Sequence, residues 1–325
     1  HSEDVVESVR WADYTNQDGQ RPEELTLRLL ADKLDAGRTA TLAGDSEADT
    51  WVLRMDKVPV WSTVNTGREI DYTYLLDAAS ASSLEAAGYS VQYNGYELGE
   101  GSEIGGTLLY TLDLSRDAEI ADYTATVTWD DDTDRDGQRP ESLTVELYAD
   151  GESTGLTAEV TGGNEAESWN HVFEALPVYA DQGNDIVYTL ALVGDAPSGY
   201  TVVPGETTPA MELKHEISRT DVTATVTWDH ESDINGLEPI DLYVELTVDG
   251  VATGEVAKLT AANSWSYTWP GRYVYHDHGT AYEYSFIVSE QSLSQLPDGV
   301  EVVVDGTEGT VIHSTFQASG TVEDA

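Results

Sequence analysis

The sequence of 325 residues contains no cysteine and only 15 basic residues against 61 acidic ones. Without cysteine, no disulfide bond can stabilise the fold, so stability must come from packing or from another covalent bond. The formal net charge of −46 repels nucleic acid and anionic membrane surfaces, and we expect neither as a partner. The sequence also lacks any apolar run of about 18 residues, so we expect no insertion into a membrane.

The sequence also lacks the common catalytic motifs. The sequence has no nucleophilic cysteine, no G-x-S-x-G elbow and no glycine-rich phosphate loop. We therefore predict that the chain is not an enzyme and needs no cofactor. No secretory leader and no sorting tail are visible, and we expect the chain to be a segment of a longer protein.

What the sequence does contain is aromatic residues in a repeated order. Its 8 Trp and 18 Tyr residues are too many for a disordered chain of this charge. Landmarks recur at intervals of roughly 100 to 120 residues, long enough for each copy to have its own core. They are a leading Trp (Trp11, Trp129, Trp228), a second Trp (Trp51, Trp169, Trp265) and a Tyr (Tyr72, Tyr188, Tyr284). We predict three tandem domains, here called the first, second and third repeats: residues 1–115, 116–218 and 219–325.

Each repeat consists of short strands separated by turns. Leu25, Leu27 and Leu29 alternate along one strand, and Asp18-Gly19 forms a turn before it. Many short strands at regular spacing are typical of an all-β sandwich. Residues 82–85 fit a capping box and predict a single helical turn. The segments that join the repeats are short and are not rich in Gly or Ser, which favours an elongated rod.

The order of motifs resembles the B-type domains of Gram-positive collagen adhesins. The second repeat carries it most fully, as Trp129, DGQRP at 136–140, LTVELYADG at 143–151, Trp169 to Phe173, LP at 176–177 and IVYT at 186–189. The first repeat keeps most of these motifs, and the third diverges most, with GLEP at 236–239 in place of GQRP. The resemblance implies seven-stranded transthyretin-like (Ig-like) sandwiches in a monomeric stalk. It also implies a wall-anchored extracellular location, as part of a larger surface protein.

The resemblance also implies an internal cross-link. Many members of this family join a first-strand Lys to a last-strand Asn through an isopeptide bond, assisted by a buried acid. A neutral amine and a proton-shuttling carboxyl suit this chemistry. Aligned to the landmarks, the Lys positions hold Val9, Val127 and Val226, the acid positions Leu76, Leu192 and Val288, and the Asn positions Leu108, Leu213 and Ser314. None of the nine has the reacting type, so we predict domains without the cross-link.

Other candidate sites are weaker. Asp132, Asp134 and Asp136 match the start of a calcium loop, but Leu143 stands where the bidentate Glu belongs, so a turn-forming acidic loop is favoured over calcium binding. His276 and His278 offer imidazoles for zinc, but no second ligand cluster lies near them in sequence. Tyr273 and Tyr275 are candidates for binding a ligand at the surface.

Two functions are compatible with these patterns. The first is a stalk or spacer that holds a distal binding domain away from the cell wall. The alternative is that the segment is itself an adhesin for a host matrix protein or a glycan. The longer stretch at 77–106 of the first repeat is the place where such a ligand site is predicted.

Overall fold

The computed structural model describes residues 2–62, 67–93, 102–104, 107–229, 240–296 and 300–313. By packing, the chain divides into two compact units. The first unit comprises residues 1–124, 148–152 and 172–188, and the second comprises residues 125–147, 153–171 and 189–325. The predicted repeat boundaries stay a prediction, because these units follow packing and not the repeated sequence.

Strands dominate both units. The first repeat contains β1 (Ser2–Ala12), β2 (Glu24–Ala31), β3 (Leu34–Ala43), β4 (Thr50–Pro59), β5 (Tyr72–Leu76), α1 (Ala78–Ala86), β6 (Ser90–Tyr93), β7 (Ser102–Ile104) and β8 (Thr107–Ser115). The second contains β9 (Ile120–Asp130), β10 (Leu143–Ala149), β11 (Glu152–Val160), β12 (Ser168–Pro177), β13 (Tyr188–Leu192), β14 (Tyr200–Pro204) and β15 (Ala210–His215).

The third repeat adds further strands and two short helical segments. These are β16 (Arg219–Asp229), β17 (Leu242–Val248), β18 (Val251–Leu259), a 3-10 turn (Ala261–Asn263), β19 (Ser266–Tyr273), β20 (Tyr275–Asp277), β21 (Thr280–Ala281), β22 (Tyr284–Val288), α2 (Glu290–Leu293), β23 (Val300–Asp305) and β24 (Glu308–His313).

All three repeats use one sheet topology. A larger sheet runs β4-β1-β8-β6 (with β7 also on β8), β12-β9-β15-β14 or β19-β16-β24-β23. A three-stranded sheet runs β3-β2-β5, β11-β10-β13 or β18-β17-β22. Apart from β7 and the small β20-β21 pair, the described residues of each repeat thus form seven strands in two sheets. The predicted seven-stranded β-sandwich is confirmed.

The first and last strands of each repeat pair in parallel. Val9 lies opposite Leu112, and Val127 lies opposite Met211. In the third repeat, β16 pairs with β24 in the same way. Parallel neighbours cannot be joined by a tight turn, so the whole repeat must fold between its two ends.

The landmark residues of the first two repeats are core residues. Trp11 packs edge-on against Trp51 with ring centroids 4.9 Å apart, and Trp129 packs in the same way against Trp169 at 4.7 Å. The landmark tyrosines anchor their hydroxyls on the backbone of the neighbouring chain segment. Tyr72, Tyr188 and Tyr284 donate to the carbonyls of Pro59, Pro177 and Tyr273, each at 2.8 Å. The repeated order therefore marks repeated packing.

The helix of the first repeat differs from the sequence prediction. It starts after Asp77, whose side chain accepts from the Ser80 amide at 2.7 Å, and it runs to Ala86. The prediction of a single turn capped by Ser82 was wrong because Asp77 caps the helix one turn earlier. Ser80 and Leu84 are buried, so packing on β2 favours the longer helix.

One buried side chain of the first repeat is acidic. Glu7 lies on the same face of β1 as Val5 and Val9 and is 1% exposed, and its Oε2 atom has no hydrogen-bond partner among the described residues. The hydroxyl of buried Tyr74 also lacks a partner in that part of the chain. Ala125 occupies the position of Glu7 in the second repeat. Burial raises the pKa of Glu7 to about 8.

Because the carboxyl of Glu7 is buried, we expect the first repeat to be more stable in acid than in base. The folded repeat keeps the proton up to pH about 8, whereas the unfolded chain releases it near 4.5. The free energy of unfolding should therefore fall as pH rises through this window, by on the order of 3 to 5 kcal/mol. Pulse proteolysis in urea at several pH values, with fragments assigned by mass, measures this for each repeat.

Glu7→Gln is the matched variant because it keeps the size of the side chain and removes the charge. We expect the pH dependence of the first repeat to flatten in this variant. The second repeat, with Ala125 at this position, is the internal control. An unchanged pH profile of the first repeat in Glu7→Gln would contradict the assignment.

Candidate functional site: the joint loops

A strained loop follows the first strand in each of the first two repeats. We call residues 13–21 and 131–139 the joint loops. In each loop, three consecutive residues adopt positive φ between 53° and 62°: Tyr14, Thr15 and Asn16, and Asp132, Thr133 and Asp134. Left-handed backbone costs roughly 1 to 2 kcal/mol per non-glycine residue, so these loops need support from neighbouring groups. Support comes from the third residue of each run, whose side chain accepts from the Arg21 amide at 2.9 Å or from the Arg139 amide at 3.0 Å.

A buried ion pair closes each joint loop. Arg21 donates to the two carboxylate oxygens of Asp13 at 3.0 and 2.6 Å, and both side chains are 1% exposed. Arg139 makes the same two bonds to Asp131, each 2.7 Å long. Each guanidinium also lies over the ring of the leading Trp, 4.6 Å from its centroid in the first repeat and 4.9 Å in the second. The arginine of the GQRP motif is thus a buried structural residue.

A tyrosine hydroxyl completes each ion pair. Tyr89 donates to Asp13 at 2.7 Å, and Tyr200 donates to Asp131 at 2.6 Å. Burial by itself raises the pKa of both carboxyls, but the bonds from arginine and tyrosine outweigh it, so the pKa of each aspartate lies below its ordinary value. The ion pairs therefore stay charged at neutral pH.

Each joint loop binds a turn that follows it in sequence. We call these the docking turns, residues 179–184 and 275–279. In the first unit, the carbonyls of Asn16 and Gln17 accept from the amides of Gln182 and Gly183 at 3.1 and 3.0 Å. The Gln17 side chain donates to the Tyr179 carbonyl at 2.8 Å. The joint loop of the first repeat therefore binds backbone of the second.

The second unit repeats this arrangement with one side chain changed. The Arg135 carbonyl accepts from the Gly279 amide at 3.0 Å, as that of Gln17 does from Gly183. The Arg135 side chain donates to the carbonyls of Tyr275 and His276 at 3.3 and 3.1 Å. Both joints thus depend on backbone groups of the docking turn, which fix position without requiring particular side chains there.

The glycine of each Asp-Gly turn is required by the contact with the docking turn. Gly19 and Gly137 have φ of 70° and 66°. A Cβ at Gly19 would lie 2.6 Å from the Gln182 carbonyl oxygen, and one at Gly137 would lie 2.7 Å from the Gly279 amide nitrogen. Such distances exclude any side chain, so the motif that resembles the adhesin domains is also the contact surface of the joint.

The aspartate before this glycine holds the segment that connects two repeats. Asp18 forms an ion pair with Arg116, directly after β8. Asp136 bonds to His215 Nε2 at 2.9 Å and accepts from the Ser218 amide at 2.8 Å. Arg116 and His215 occupy corresponding positions, each at the end of the last strand.

The predicted isopeptide positions are distributed as follows. The first-strand residues Val9, Val127 and Val226 are 0%, 0% and 2% exposed. Leu76 is buried, and Leu192 and Val288 are half-buried. Leu213 is fully buried, the backbone of Leu108 lies opposite Val5, and Ser314 lies outside the described residues. The register places Leu112 opposite Val9 and Met211 opposite Val127.

All four lysines lie at the surface. Lys33, Lys57, Lys214 and Lys258 are exposed. Lys214 forms an ion pair with Glu212 at 3.0 Å. No core therefore supplies the apolar surroundings that would neutralise a lysine amine.

The calcium candidates have other partners. Asp132 accepts from Arg135 at 2.6 Å, Asp134 accepts from the Arg139 amide, and Asp136 binds His215. Across the residues that the structure describes, no three carboxylate or imidazole groups are arranged to hold a metal ion. In this loop the acidic residues thus make bonds within the protein.

The ligand candidates lie at the second joint. The guanidinium groups of Arg135 and Arg219 both contact the ring of Tyr273, 4.3 and 4.0 Å from its centroid. Tyr275 contributes the carbonyl that Arg135 binds. His278 lies 3.3 Å from Glu165. The contacts of Arg135 and Glu165 were not visible in the sequence, because these two residues belong to the second repeat and their partners to the third.

Each repeat matches a known domain family. The model of the Cna protein B-type domain matches residues 8–98, 123–212 and 222–315. The collagen adhesin of Staphylococcus aureus is 31% identical over 264 residues, which make up 80% of this chain and 20% of that protein. The crystal structure of two B repeat units of the S. aureus collagen-binding protein shares 26% identity with a TM-score of 0.46, covering 96% of this chain and 75% of that one. The pilus adhesin SpaC of Lactobacillus rhamnosus GG shares 15% identity with a TM-score of 0.23, covering 96% and 43%.

Repeated sandwiches joined through backbone contacts define a structural repeat module. The chain belongs to the family of Cna B-type domains, with three matched segments. The matched family and the collagen adhesin are structural surface proteins and not enzymes. It spans about a fifth of the length of the S. aureus collagen adhesin. Among the described residues, no helix is long and apolar enough to cross a membrane.

Arg139→Gln should destabilise the second repeat by roughly 3 to 5 kcal/mol, because it leaves the Asp131 carboxylate buried without its partner. Native-state hydrogen exchange of the β9 amides at fixed pH measures the opening free energy of this repeat. Lys214→Gln, which removes an exposed ion pair of the same repeat, is the control and should change it little. Equal effects of the two variants would contradict the structural role of the arginine.

Gly137→Ala should loosen the second joint while the repeats stay folded, because the added Cβ meets the docking turn. Since the chain has no cysteine, spin labels on Val203→Cys and Val251→Cys report only the distance between the second and third repeats. We expect a broader distance distribution by electron–electron double resonance. Gly155→Ala is the matched control, with φ of 71° and no atom within 4 Å of the added Cβ. Broadening in both variants would mean that backbone strain, not the contact, is responsible.

Proposed function

We propose that the chain is a spacer segment of a larger Gram-positive surface adhesin or pilin-like protein, anchored to the cell wall outside the cell. The observation that carries this proposal is the repetition of one joint. Both joint loops bind the docking turn of the next repeat through backbone hydrogen bonds and a side-chain-free glycine. A spacer needs contacts that restrain successive domains, and hydrogen bonds to backbone groups are such contacts.

Charge supports the same role. The net charge of −46 leads to repulsion between repeats at low ionic strength and favours an extended monomer. Tyr273 and Tyr275, the candidates for a ligand site, take part in the second joint. This use favours the spacer over direct binding of a matrix protein or glycan.

We further propose that the repeats lack intradomain isopeptide bonds. Apolar valines occupy the first-strand positions that the family resemblance assigns to lysine, and the four lysines of the chain are exposed. Mechanical and thermal resistance then rest on the packed cores and the buried arginine–aspartate pairs.

Intact mass tests the absence of this cross-link. Each isopeptide bond expels one ammonia, so we expect the mass calculated from the sequence without loss. Denaturing the chain before the measurement must not change the result, because the bond is covalent. A mass lower by even one ammonia would overturn this proposal.

The spacer function is tested by binding and scattering on the same sample. We expect no saturable binding to an array of collagens, other matrix proteins and glycans, and small-angle scattering of an extended monomer. A collagen-binding adhesin domain applied to the same array is the positive control, because its binding shows that the immobilised collagens can be bound. Binding that survives moderate salt, and is kept by residues 1–115 alone, would replace the spacer by an adhesin function.

A further inference from the structure

Both ring nitrogens of His215 face oxygen atoms that can only accept a hydrogen bond. Nδ1 lies 2.9 Å from the Gly199 carbonyl oxygen, and Nε2 lies 2.9 Å from Asp136 Oδ2. A neutral imidazole carries one N–H and can donate only one of these bonds, whereas the imidazolium donates both. The His215 side chain is 10% exposed and that of Asp136 is 2% exposed, so water does not readily replace either bond.

This histidine is connected to the third repeat through two short steps. The Asp136 oxygen that binds it also accepts from the Ser218 amide at 2.8 Å. The Ser218 carbonyl in turn accepts from the Val274 amide at 3.0 Å. Gly137, next to Asp136, contacts the docking turn. A change at His215 therefore reaches the groups that hold the second joint.

The first joint has a permanent charge at the corresponding position. Arg116 donates from Nε to the Ala87 carbonyl at 2.5 Å and pairs with Asp18. Its guanidinium makes the same two kinds of contact as the ring of His215, to a carbonyl and to the aspartate of the Asp-Gly turn. Arginine stays protonated at all physiological pH values, whereas histidine does not.

We propose that His215 is a proton-dependent clamp of the second joint, closed when its ring carries both protons and open when it loses one. The first joint, with Arg116, stays closed at any physiological pH. The proposal deepens the spacer function and rests on it, since it assigns the pH range in which the second joint is fixed.

The charged groups around the ring set this range. They are the carboxylates of Asp136 and Asp131, the Arg139 guanidinium bound to Asp131, and the Tyr200 ring, 5.0 Å from the imidazole. Lys214 next to it is bound to Glu212 at the surface. Burial lowers the pKa of His215, but the bonds to Asp136 and Gly199 outweigh it and raise the pKa above its ordinary value. The clamp is thus complete in mild acid and is lost as pH rises through the raised pKa.

The test uses the labelled pair Val203→Cys and Val251→Cys for the second joint and Leu34→Cys with Val172→Cys for the first. Distances are measured at pH about 5.5 and about 8.5, on either side of an imidazole pKa. We expect the narrow distance peak of the second joint to lose at least about half of its population at the higher pH. His215→Arg should keep this peak at both pH values, and the first joint should not respond.

Each other outcome has a distinct meaning. A second joint that is narrow at both pH values overturns the clamp and leaves the spacer function intact. A joint that is broad at both pH values overturns the clamp together with the fixed joint that the spacer requires. A pH response that persists in His215→Arg overturns the assignment to this residue.

Nitrogen-15 NMR of His215 provides an independent readout. At pH about 6.5, where a free imidazole is half protonated, we expect both ring nitrogens to carry a proton. The His215→Arg chain removes this signal and so identifies it. A His215 ring that titrates below the ordinary imidazole value would overturn the proposal.

Discussion

The structure of the joints depends on one buried ion pair between an aspartate at the start of the joint loop and the arginine of the GQRP motif. Arg139 and Asp131 are each 1% exposed and bind through two hydrogen bonds, so loss of either partner leaves a buried charge uncompensated. The pair closes a loop whose left-handed run would otherwise be unfavourable. That loop shape places Gly137 against the docking turn and Asp136 against His215. A local charge pair thus determines a contact between repeats.

The two joints share this arrangement but differ in the side chains at two corresponding positions. Gln17 and Arg135 occupy the same position and bind the same backbone, but only the arginine also packs on an aromatic ring. The position after the last strand holds Arg116 in one joint and His215 in the other. Since the docking turns are bound mainly through backbone groups, side chains can change without loss of the contact. This freedom allows one module to form joints with different pH responses.

Periodicity predicted the fold because alternation along a strand is a local property. Leu25, Leu27 and Leu29 are all fully buried, as their spacing indicates. The burial of Glu7 was not predicted, because its charge argues for the surface and only the packed structure shows that it lies in the core. The joints were not predicted, because the sequence shows Asp18-Gly19 as a turn and carries no sign that the second repeat contacts it. The recurrence of an aspartate eight residues before the motif arginine in both repeats was the one available signal.

If the joint loops hold successive repeats in a fixed orientation, the second and third repeats must tumble in solution as one body. Residual dipolar couplings of the isotopically labelled chain, measured at pH about 6, where the His215 clamp is closed, test this most directly. We expect that one alignment tensor fits the couplings of the second and third repeats together. Separate tensors of clearly different magnitude for the two repeats would show independent motion and would contradict the fixed joint.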